Sequence, residues 1–240
     1  MADISYHGPV VAFDLDDTLF RERDFCRSGF RYLCDPSRYR IEGIKEYPDA
    51  ECLDRLRAVM DEELLAGRNP FTPFENFFRP LTGSVTWNLQ EHIYAYRNHR
   101  PDALHYADGV KEVLDRLVER GIRMAVVTDG RAGTQRRKIE ALGLDSYVAP
   151  DLIFISEETG HDKKDKEAFA AVVRRLPEAR SFVYVGDNPE KDFYWPNLLG
   201  WTTLQTPPHS DNVHSGAAPL SPLHSPKTVL THFSEILDYI

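Results

Sequence analysis

Two aspartates stand at the end of an apolar run near the start of the chain. The run Val10–Phe13 has the β-branched and aromatic residues of a buried strand, and Asp14 and Asp16 follow it two positions apart. Ligands of parallel sheets bind at the carboxyl ends of the strands, which is where these carboxylates are expected to lie. Because their like charges need a counter-ion, the pair predicts a site for a hard dication with oxygen ligands.

A hydroxyl group and a turn follow a second apolar run. This run ends at Thr128, and Asp129 and Gly130 come directly after it. A hydroxyl beside backbone N–H groups at the start of a helix suits a phosphate group. The sequence therefore predicts an anion site at the same edge of the sheet.

Charged residues also surround a third apolar run. Asp187 and Asp192 come after Val183–Val185 and add two carboxylates to the predicted edge. The neighbouring lysines Lys163 and Lys164 lie between the second and third runs, and either of them could reach the site.

Five short apolar runs predict the strands that position these groups. They are Pro9–Phe13, Ile122–Thr128, Leu152–Ile155, Ser181–Val185 and Trp201–Leu204. Amphipathic stretches with helical spacing lie between several of them: one from the N-cap Asp108 to Gly121, then Arg131–Gly143 and Lys164–Leu176. Strands that alternate with helices indicate an α/β fold, a parallel sheet with helices on both faces.

One segment interrupts this alternation. Residues 21–105 show helical patterns and no convincing strand. The candidate helices are Asp24–Cys34, Ala50–Ala66, Thr72–Pro80 and Ser84–Asn98. We therefore predict a core domain of residues 1–20 and 106–240 with residues 21–105 as a helical insert.

The C-terminal part of the chain predicts a long loop and a last helix. Residues 206–227 are rich in Pro, Ser and His and are expected to form a surface loop, followed by a helix at Val229–Tyr239. The loop histidines are expected to be solvated rather than bound to metal: His209, His214 and His224.

Composition excludes several classes of function. A chain of 240 residues can bury a large core, and its net charge of −9 without a basic tail argues against nucleic-acid binding. No apolar run approaches the ~20 residues that a membrane helix needs, and the N-terminus lacks the pattern of a signal peptide. The three cysteines form no CxxC pair, so we expect reduced thiols and a cytoplasmic protein.

Together the charged segments resemble the four motifs of the haloacid dehalogenase superfamily, in the family's order along the chain. The first motif, Asp-x-Asp-x-Thr after a strand, matches Asp14–Thr18, and the second matches Thr128. The third, a lysine near the start of a helix, matches Lys163; the alternative is Lys164, which replaces the family's usual proline. The fourth, Gly-Asp-x-x-x-x-Asp, matches Gly186–Asp192.

This resemblance implies a Rossmann-like core, an all-helical cap formed by the insert, and hydrolysis of a phosphate monoester. Asp14 would be the nucleophile that forms an aspartyl-phosphate, and Asp16 would act first as general acid and then as general base. Mg²⁺ would be held by Asp14, the backbone carbonyl of Asp16, and Asp187. Asp192 would stand beside the metal or orient the lysine.

The resemblance also assigns the groups that hold the transferring phosphoryl oxygens: Thr128, Lys163 and the amides of Asp129 and Gly130. Thr128–Gly130, followed by Gln135 and Lys138, resembles the branch that holds nucleotidases and sialic-acid phosphate phosphatases.

The expected substrate is a small phosphorylated metabolite, either a nucleotide or a sugar phosphate. Among the arginines of the first insert helix, Arg21 and Arg23 are the candidates for binding an anionic leaving group. The alternative is that Arg23, Arg27 and Arg31, spaced by four, form a solvated face. We expect a monomer or homodimer without a nucleic-acid or membrane partner.

Three alternatives stay open. A sugar-phosphate mutase would keep both aspartates. A haloacid dehalogenase needs no acid for its leaving halide, so the presence of Asp16 argues against this function. A non-catalytic binding module would be expected to lack at least one of the motif residues.

Overall fold

The central feature of the fold is a six-stranded parallel sheet. The computed structural model describes residues 5–102, 104–213 and 217–240. The strands within these residues are β1 (Pro9–Phe13), β2 (Arg123–Thr128), β3 (Ile153–Ile155), β4 (Ser181–Gly186), β5 (Thr202–Gln205) and β6 (Thr228–Val229). They are arranged in the order β3-β2-β1-β4-β5-β6, and each neighbouring pair is parallel. The predicted α/β fold class is confirmed.

The strand order has its switch point between β1 and β4. From β1 the chain adds strands toward β3 on one side, and β4 to β6 extend the sheet on the other side. The strand at the middle of the sheet is completely buried from Val10 to Phe13. In open α/β sheets the switch point is where ligands bind, so the ends of β1 and β4 are the place for a site.

Nine α-helices are present in the described residues. They are α1 (Glu22–Leu33), α2 (Ala50–Leu65), α3 (Phe71–Phe78), α4 (Leu89–Asn98), α5 (Val110–Glu119), α6 (Ala132–Leu142), α7 (Ser156–Thr159), α8 (Lys166–Arg175) and α9 (Tyr194–Leu198). The predicted N-cap of α5 is wrong: the cap is Gly109, in the left-handed conformation at φ 77°, and not Asp108. Glycine adopts this conformation without the steric cost that a side chain would bring.

The predicted C-terminal helix is wrong at its beginning. Thr228 and Val229 pair with Leu204 and Gln205 as the edge strand β6, and a 3₁₀-helix starts only at Phe233 and ends at Tyr239. A strand of two residues is too short to show the alternation by which strands are recognised. Of the histidines expected to be solvated, His214 lies outside the described residues.

The chain forms two compact units. The core unit contains the described residues up to Arg21, His105–Ser210 and the described residues after Val213. The helical unit contains Glu22–Leu104 and the short segment Asp211–Val213. It has its own apolar cluster, whose fully buried members include Met60, Phe74 and Phe78. No helix in the parts of the chain that the structure describes is both long and apolar enough to span a bilayer.

The chain leaves and re-enters the core unit at neighbouring positions. Phe20 forms an antiparallel bridge with Tyr106, and the Ala107 N–H donates to the Leu19 carbonyl at 2.9 Å. The segment between these two points can therefore be long or short without stretching the core.

Candidate active site

Three carboxylates meet beyond the ends of β1 and β4. Oxygen atoms of Asp14, Asp187 and Asp192, the acidic cluster, lie within 4.8 Å of one another. The Asp14 N–H donates to the Val185 carbonyl at 2.9 Å, which continues the β1–β4 pairing into the site. Asp14 is 4% exposed and Asp192 is completely buried. The sequence prediction that these residues share one sheet edge agrees with this placement.

Lys163 is the lysine that reaches the acidic cluster. Its Nζ lies 2.8 Å from Asp14 Oδ1 and 2.5 Å from Asp192 Oδ1, and the side chain is 2% exposed. Its backbone N–H donates to Asp129 Oδ1 at 3.0 Å, which fixes the loop before α8. Lys164 is exposed. The structure therefore brings Lys163 to the carboxylates, rather than Lys164.

Asp192 holds the lysine and the loop after β4 at once. Its Oδ1 accepts from Lys163 and its Oδ2 accepts from the Asn188 N–H at 2.8 Å. A Cβ on Gly186 would stand 2.5 Å from Asp192 Oδ2, so this position of the motif has no room for a side chain. Both carboxylate oxygens of Asp192 are thus used by the protein itself.

The acidic cluster carries more negative charge than Lys163 can balance. Burial raises the pKa of Asp14 to about 7, although the positive charge of Lys163 acts to lower it. Burial and the neighbouring carboxylates Asp192 and Asp14 raise the pKa of Asp187 well above its ordinary value. Burial alone would lower the pKa of Lys163, but Asp14 and Asp192 together raise it well above its ordinary value. Such a set of oxygen ligands with one cation fits a hard dication.

The Asp16 carboxylate is bound by two side chains of α6. Its Oδ1 lies 2.7 Å from Lys138 Nζ, and its Oδ2 accepts from Gln135 Nε2 at 2.9 Å. The same Gln135 nitrogen donates to Thr128 Oγ1 at 2.8 Å. Asp17, at φ 55°, turns the backbone directly after Asp16. The sequence named Gln135 and Lys138 as part of a family likeness, but gave them no role in the site.

The loop after β2 is held by neighbours from other segments. Thr128 ends β2 and is 2% exposed. The Gly130 N–H, a predicted phosphate ligand, donates instead to Ser156 Oγ at 2.9 Å. The structure thus links Thr128 to Asp16 through Gln135 and Asp129 to Lys163, whereas the Gly130 N–H already has Ser156 as its acceptor.

The two candidate substrate arginines lie in different units. Arg21, in the core unit, lines a cavity of about 220 Å³ together with Asp17 and Thr18. Arg23 begins α1 in the helical unit, where its guanidinium binds Asp61 at 2.6 Å and Asp211 at 2.5 Å. Arg23 is therefore held in an ion-pair network of its own unit.

The other arginines of the predicted stripe are also paired. Arg27 shares Asp61 with Arg23, at 2.8 Å, and Arg31 binds Asp102 at 2.7 Å. The three arginines that were expected on one face thus bind carboxylates inside the helical unit.

The family of haloacid dehalogenase-like hydrolases matches residues 9–193, from β1 to the end of the loop that carries Asp192. The chain belongs to this family. The resemblance drawn from the four motifs is therefore confirmed, and the chain is a hydrolase by family.

Curated relatives of this hydrolase include several named phosphatases. It is 34% identical over 119 residues to ribulose-1,5-bisphosphate 5-phosphatase of Halopiger xanaduensis, a match that spans 49% of each chain and thus about half of that relative. Identity to glyceraldehyde 3-phosphate phosphatase of Methanocaldococcus jannaschii is 27% over 205 residues, covering 81% of this chain and 83% of the relative. Identity to human N-acylneuraminate-9-phosphatase is 25% over 202 residues, covering 76% and 75%.

The same fold is found in solved structures of other family members. The HAD-hydrolase YfnB of Bacillus subtilis, whose structure was solved with bound magnesium, superposes with a TM-score of 0.61. The alignment covers 98% of this chain and 99% of YfnB at 18% identity. A likeness at this identity establishes the fold.

Proposed function

We propose that this hydrolase is a phosphatase that removes the phosphoryl group from a small phosphorylated metabolite, a sugar phosphate or a nucleotide. The observation that carries the proposal is the buried contact of Asp14 with Lys163, 2.8 Å apart, with Asp16 two residues further along the same loop. This arrangement offers a nucleophile, a cation for phosphoryl oxygens and an acid–base group at one edge of the sheet. The relatives named as phosphatases of sugar phosphates support the same class of substrate.

In the first step the Asp14 carboxylate attacks phosphorus. The bond between phosphorus and the ester oxygen breaks, and this oxygen takes a proton from the Asp16 carboxyl group. Lys163 and the Thr128 hydroxyl hold phosphoryl oxygens while charge moves onto them.

In the second step water hydrolyses the aspartyl-phosphate. The Asp16 carboxylate takes a proton from the water as its oxygen attacks phosphorus, and the bond from phosphorus to Asp14 breaks. Inorganic phosphate leaves, and both aspartates return to their starting state.

Mg²⁺ fits the oxygen ligands and the excess negative charge of the acidic cluster. Asp14, Asp187 and the backbone carbonyl of Asp16 would hold it, while Asp192 stays with Lys163 and Asn188. When bound, the ion reduces the repulsion between a carboxylate and an anionic phosphoryl group.

We place the reaction in the cytoplasm and assign selection of the substrate to the helical unit, acting as a cap. The three cysteines are free thiols, which fits a reducing compartment. The core unit supplies groups for a phosphate and a metal, which any phosphomonoester would satisfy equally. Discrimination between leaving groups is therefore expected from residues of the helical unit.

The proposal is tested by measuring phosphate release from a panel of sugar phosphates, triose phosphates and nucleotides. The wild type is assayed with Mg²⁺ and with a chelator, and Asp14→Asn, which keeps the size of the side chain, is assayed beside it. We expect release that needs Mg²⁺ and that falls by at least about 10³-fold in Asp14→Asn, because an amide is a poor nucleophile.

Three results would contradict the proposal. Turnover by Asp14→Asn at the wild-type rate would contradict the assignment of Asp14 as the nucleophile. Activity that resists the chelator would contradict the requirement for Mg²⁺. An isomeric sugar phosphate in place of inorganic phosphate would identify a mutase.

A further inference from the structure

Asp16 is held by two side chains from one face of α6. Gln135 and Lys138 are three positions apart, so their side chains project from the same side of the helix. Lys138 Nζ lies 2.7 Å from Asp16 Oδ1, and Gln135 Nε2 lies 2.9 Å from Asp16 Oδ2. Each oxygen of the carboxylate therefore has its own donor, which fixes both the position and the rotation of the group.

Gln135 connects Asp16 to the hydroxyl of Thr128. An ionised carboxylate only accepts hydrogen bonds, so the nitrogen of the Gln135 amide must be the atom that faces it. The second N–H of that nitrogen donates to Thr128 Oγ1 at 2.8 Å. Since Thr128 Oγ1 accepts here, its own proton points elsewhere and is available to a phosphoryl oxygen.

Lys138 is a buried cation, and packing alone would not favour a lysine at this position. Its side chain is 4% exposed, and its ammonium group lies 5.8 Å from the centre of the Phe20 ring. Removing an ammonium group from water is costly, and an apolar side chain of similar volume would fill such a place at less cost. The Asp16 side chain, in contrast, is 20% exposed, so one edge of the carboxylate stays accessible.

We propose that Lys138 and Gln135 are positioning residues that hold the Asp16 carboxyl group where it exchanges protons with the leaving oxygen and with water. This inference rests on the proposed phosphatase function. Both residues are assigned to act through Asp16, and Gln135 through Thr128 as well.

The test is the dependence of the rate on the leaving group. Lys138→Met keeps the length of the side chain and removes the charge, and Gln135→Leu removes the amide. Each variant is assayed on p-nitrophenyl phosphate, whose leaving group needs no proton, and on an alkyl phosphate, whose leaving group does. General acid catalysis contributes about 10²–10⁴-fold, so we expect kcat/KM for the alkyl ester to fall at least about tenfold more than for the aryl ester.

A double variant separates positioning from a loss of structure. In Asp16→Asn the acid is absent, so adding Lys138→Met should cost little further rate on the alkyl ester. Arg137→Met is the matched control: it removes a neighbouring cation of α6 whose guanidinium binds the Gly133 carbonyl. This variant is expected to behave as the wild type on both esters.

The two levels of the proposal fail in different ways. Equal losses on both esters, or a full further loss in the double variant, would overturn the positioning role while leaving the phosphatase function intact. Wild-type protein that releases no phosphate from any ester would overturn the phosphatase function, and the positioning role with it.

Discussion

Lys163 is the residue on which the charge balance of the site depends. Its side chain is 2% exposed, and its ammonium group contacts the carboxylates of Asp14 and Asp192. Removing one partner of a buried ionic group is strongly destabilising, because it leaves charges that water cannot reach. Lys163 thus contributes to the stability of the core unit, in addition to the phosphoryl-binding role that the proposed function gives it.

Lys163→Met is therefore expected to affect both rate and stability. We expect kcat/KM to fall by about 10²–10³-fold, since a preorganised donor for the phosphoryl oxygens is lost. The melting temperature should fall as well, because Asp14 and Asp192 lose their cation. Phosphate release and thermal unfolding, measured on the same preparation, check the two effects.

Lys164→Met is the control for this experiment. It removes the ammonium group of the neighbouring residue, which is exposed. It should match the wild type in rate and in melting temperature. If Lys164→Met were the slower enzyme, the assignment of the lysine to the motif would have to move by one residue.

The sequence predicted the candidate site residues that belong to a motif. It did not predict contacts that depend on the direction in which a side chain or an N–H group points. Asp14, Asp187 and Asp192 were predicted together because strands end where ligands bind. The choice between Lys163 and Lys164 needed the structure, since a turn before a helix does not fix which of two neighbours points inward. The Gly130 amide was assigned to phosphate without regard to Ser156, which comes from a distant segment and whose Oγ accepts a hydrogen bond from the Gly130 N–H.

At the scale of elements, the site is assembled from strand ends and one helix face. β1 and β4 are neighbours at the switch point, so the motifs that follow them meet although they are far apart in sequence. Helix α6 then adds Gln135 and Lys138 from the side of β2. The strands were predictable because they are apolar and continuous, whereas β6 has only two residues and carried no pattern.

Segment Asp211–Val213 is another feature that the sequence could not reveal. It lies in the predicted surface loop of residues 206–227, but clusters with the helical unit. The segment carries a long-range ion pair, between Asp211 and Arg23 at 2.5 Å. A pairing between residues so far apart leaves no periodic trace in a single sequence.

Helices α1 and α2 are joined through the carboxylate of Asp61. It accepts from Arg23 and Arg27, and its side chain is 13% exposed. Burial alone would raise the pKa of Asp61, but the hydrogen bonds from the two arginines hold it below its ordinary value. A carboxyl whose pKa is lowered by folding stabilises the folded state above its unfolded pKa, and this contribution is lost as the pH falls through its folded pKa.

Asp61→Asn should accordingly destabilise the protein in a pH-dependent way. At about pH 7 we expect the free energy of unfolding to fall by about 1–3 kcal/mol, because two guanidinium groups lose a charged acceptor. The difference from the wild type should shrink below about pH 4, where the unfolded chain takes up the proton. Urea unfolding followed by circular dichroism over this pH range measures it.

Glu51→Gln on the same helix is the matched control. The Glu51 side chain is 80% exposed and pairs loosely with Arg55 at 3.5 Å, so its loss should change stability by less than about 0.5 kcal/mol. A pH-independent loss in Asp61→Asn would show that packing, rather than the ion pair, supports this contact.

At the scale of the whole molecule, the two units have separate apolar cores. The core unit is built around completely buried strands such as β1, and the helical unit around residues such as Met60, Phe74 and Phe78. The helical unit is inserted where Phe20 pairs with Tyr106. Because the chain leaves and returns at one place, the arrangement of the candidate catalytic residues in the core unit does not depend on the length of the insert.

This separation predicts the result of replacing residues 22–104 by a short Gly/Ser linker. The core unit should fold and keep its acidic cluster, since Asp14, Lys163 and Asp192 contact one another within that unit. We expect kcat/KM for p-nitrophenyl phosphate to stay within about tenfold of the wild type, because its leaving group requires neither selection nor a proton. The preference among sugar phosphates and nucleotides should fall by at least about tenfold, because the residues proposed to select the leaving group are gone. The same linker variant with Asp14→Asn shows whether the remaining turnover comes from this site. If the shortened protein ranks the metabolites as the wild type does, the core unit itself selects the substrate, and the helical unit has another task.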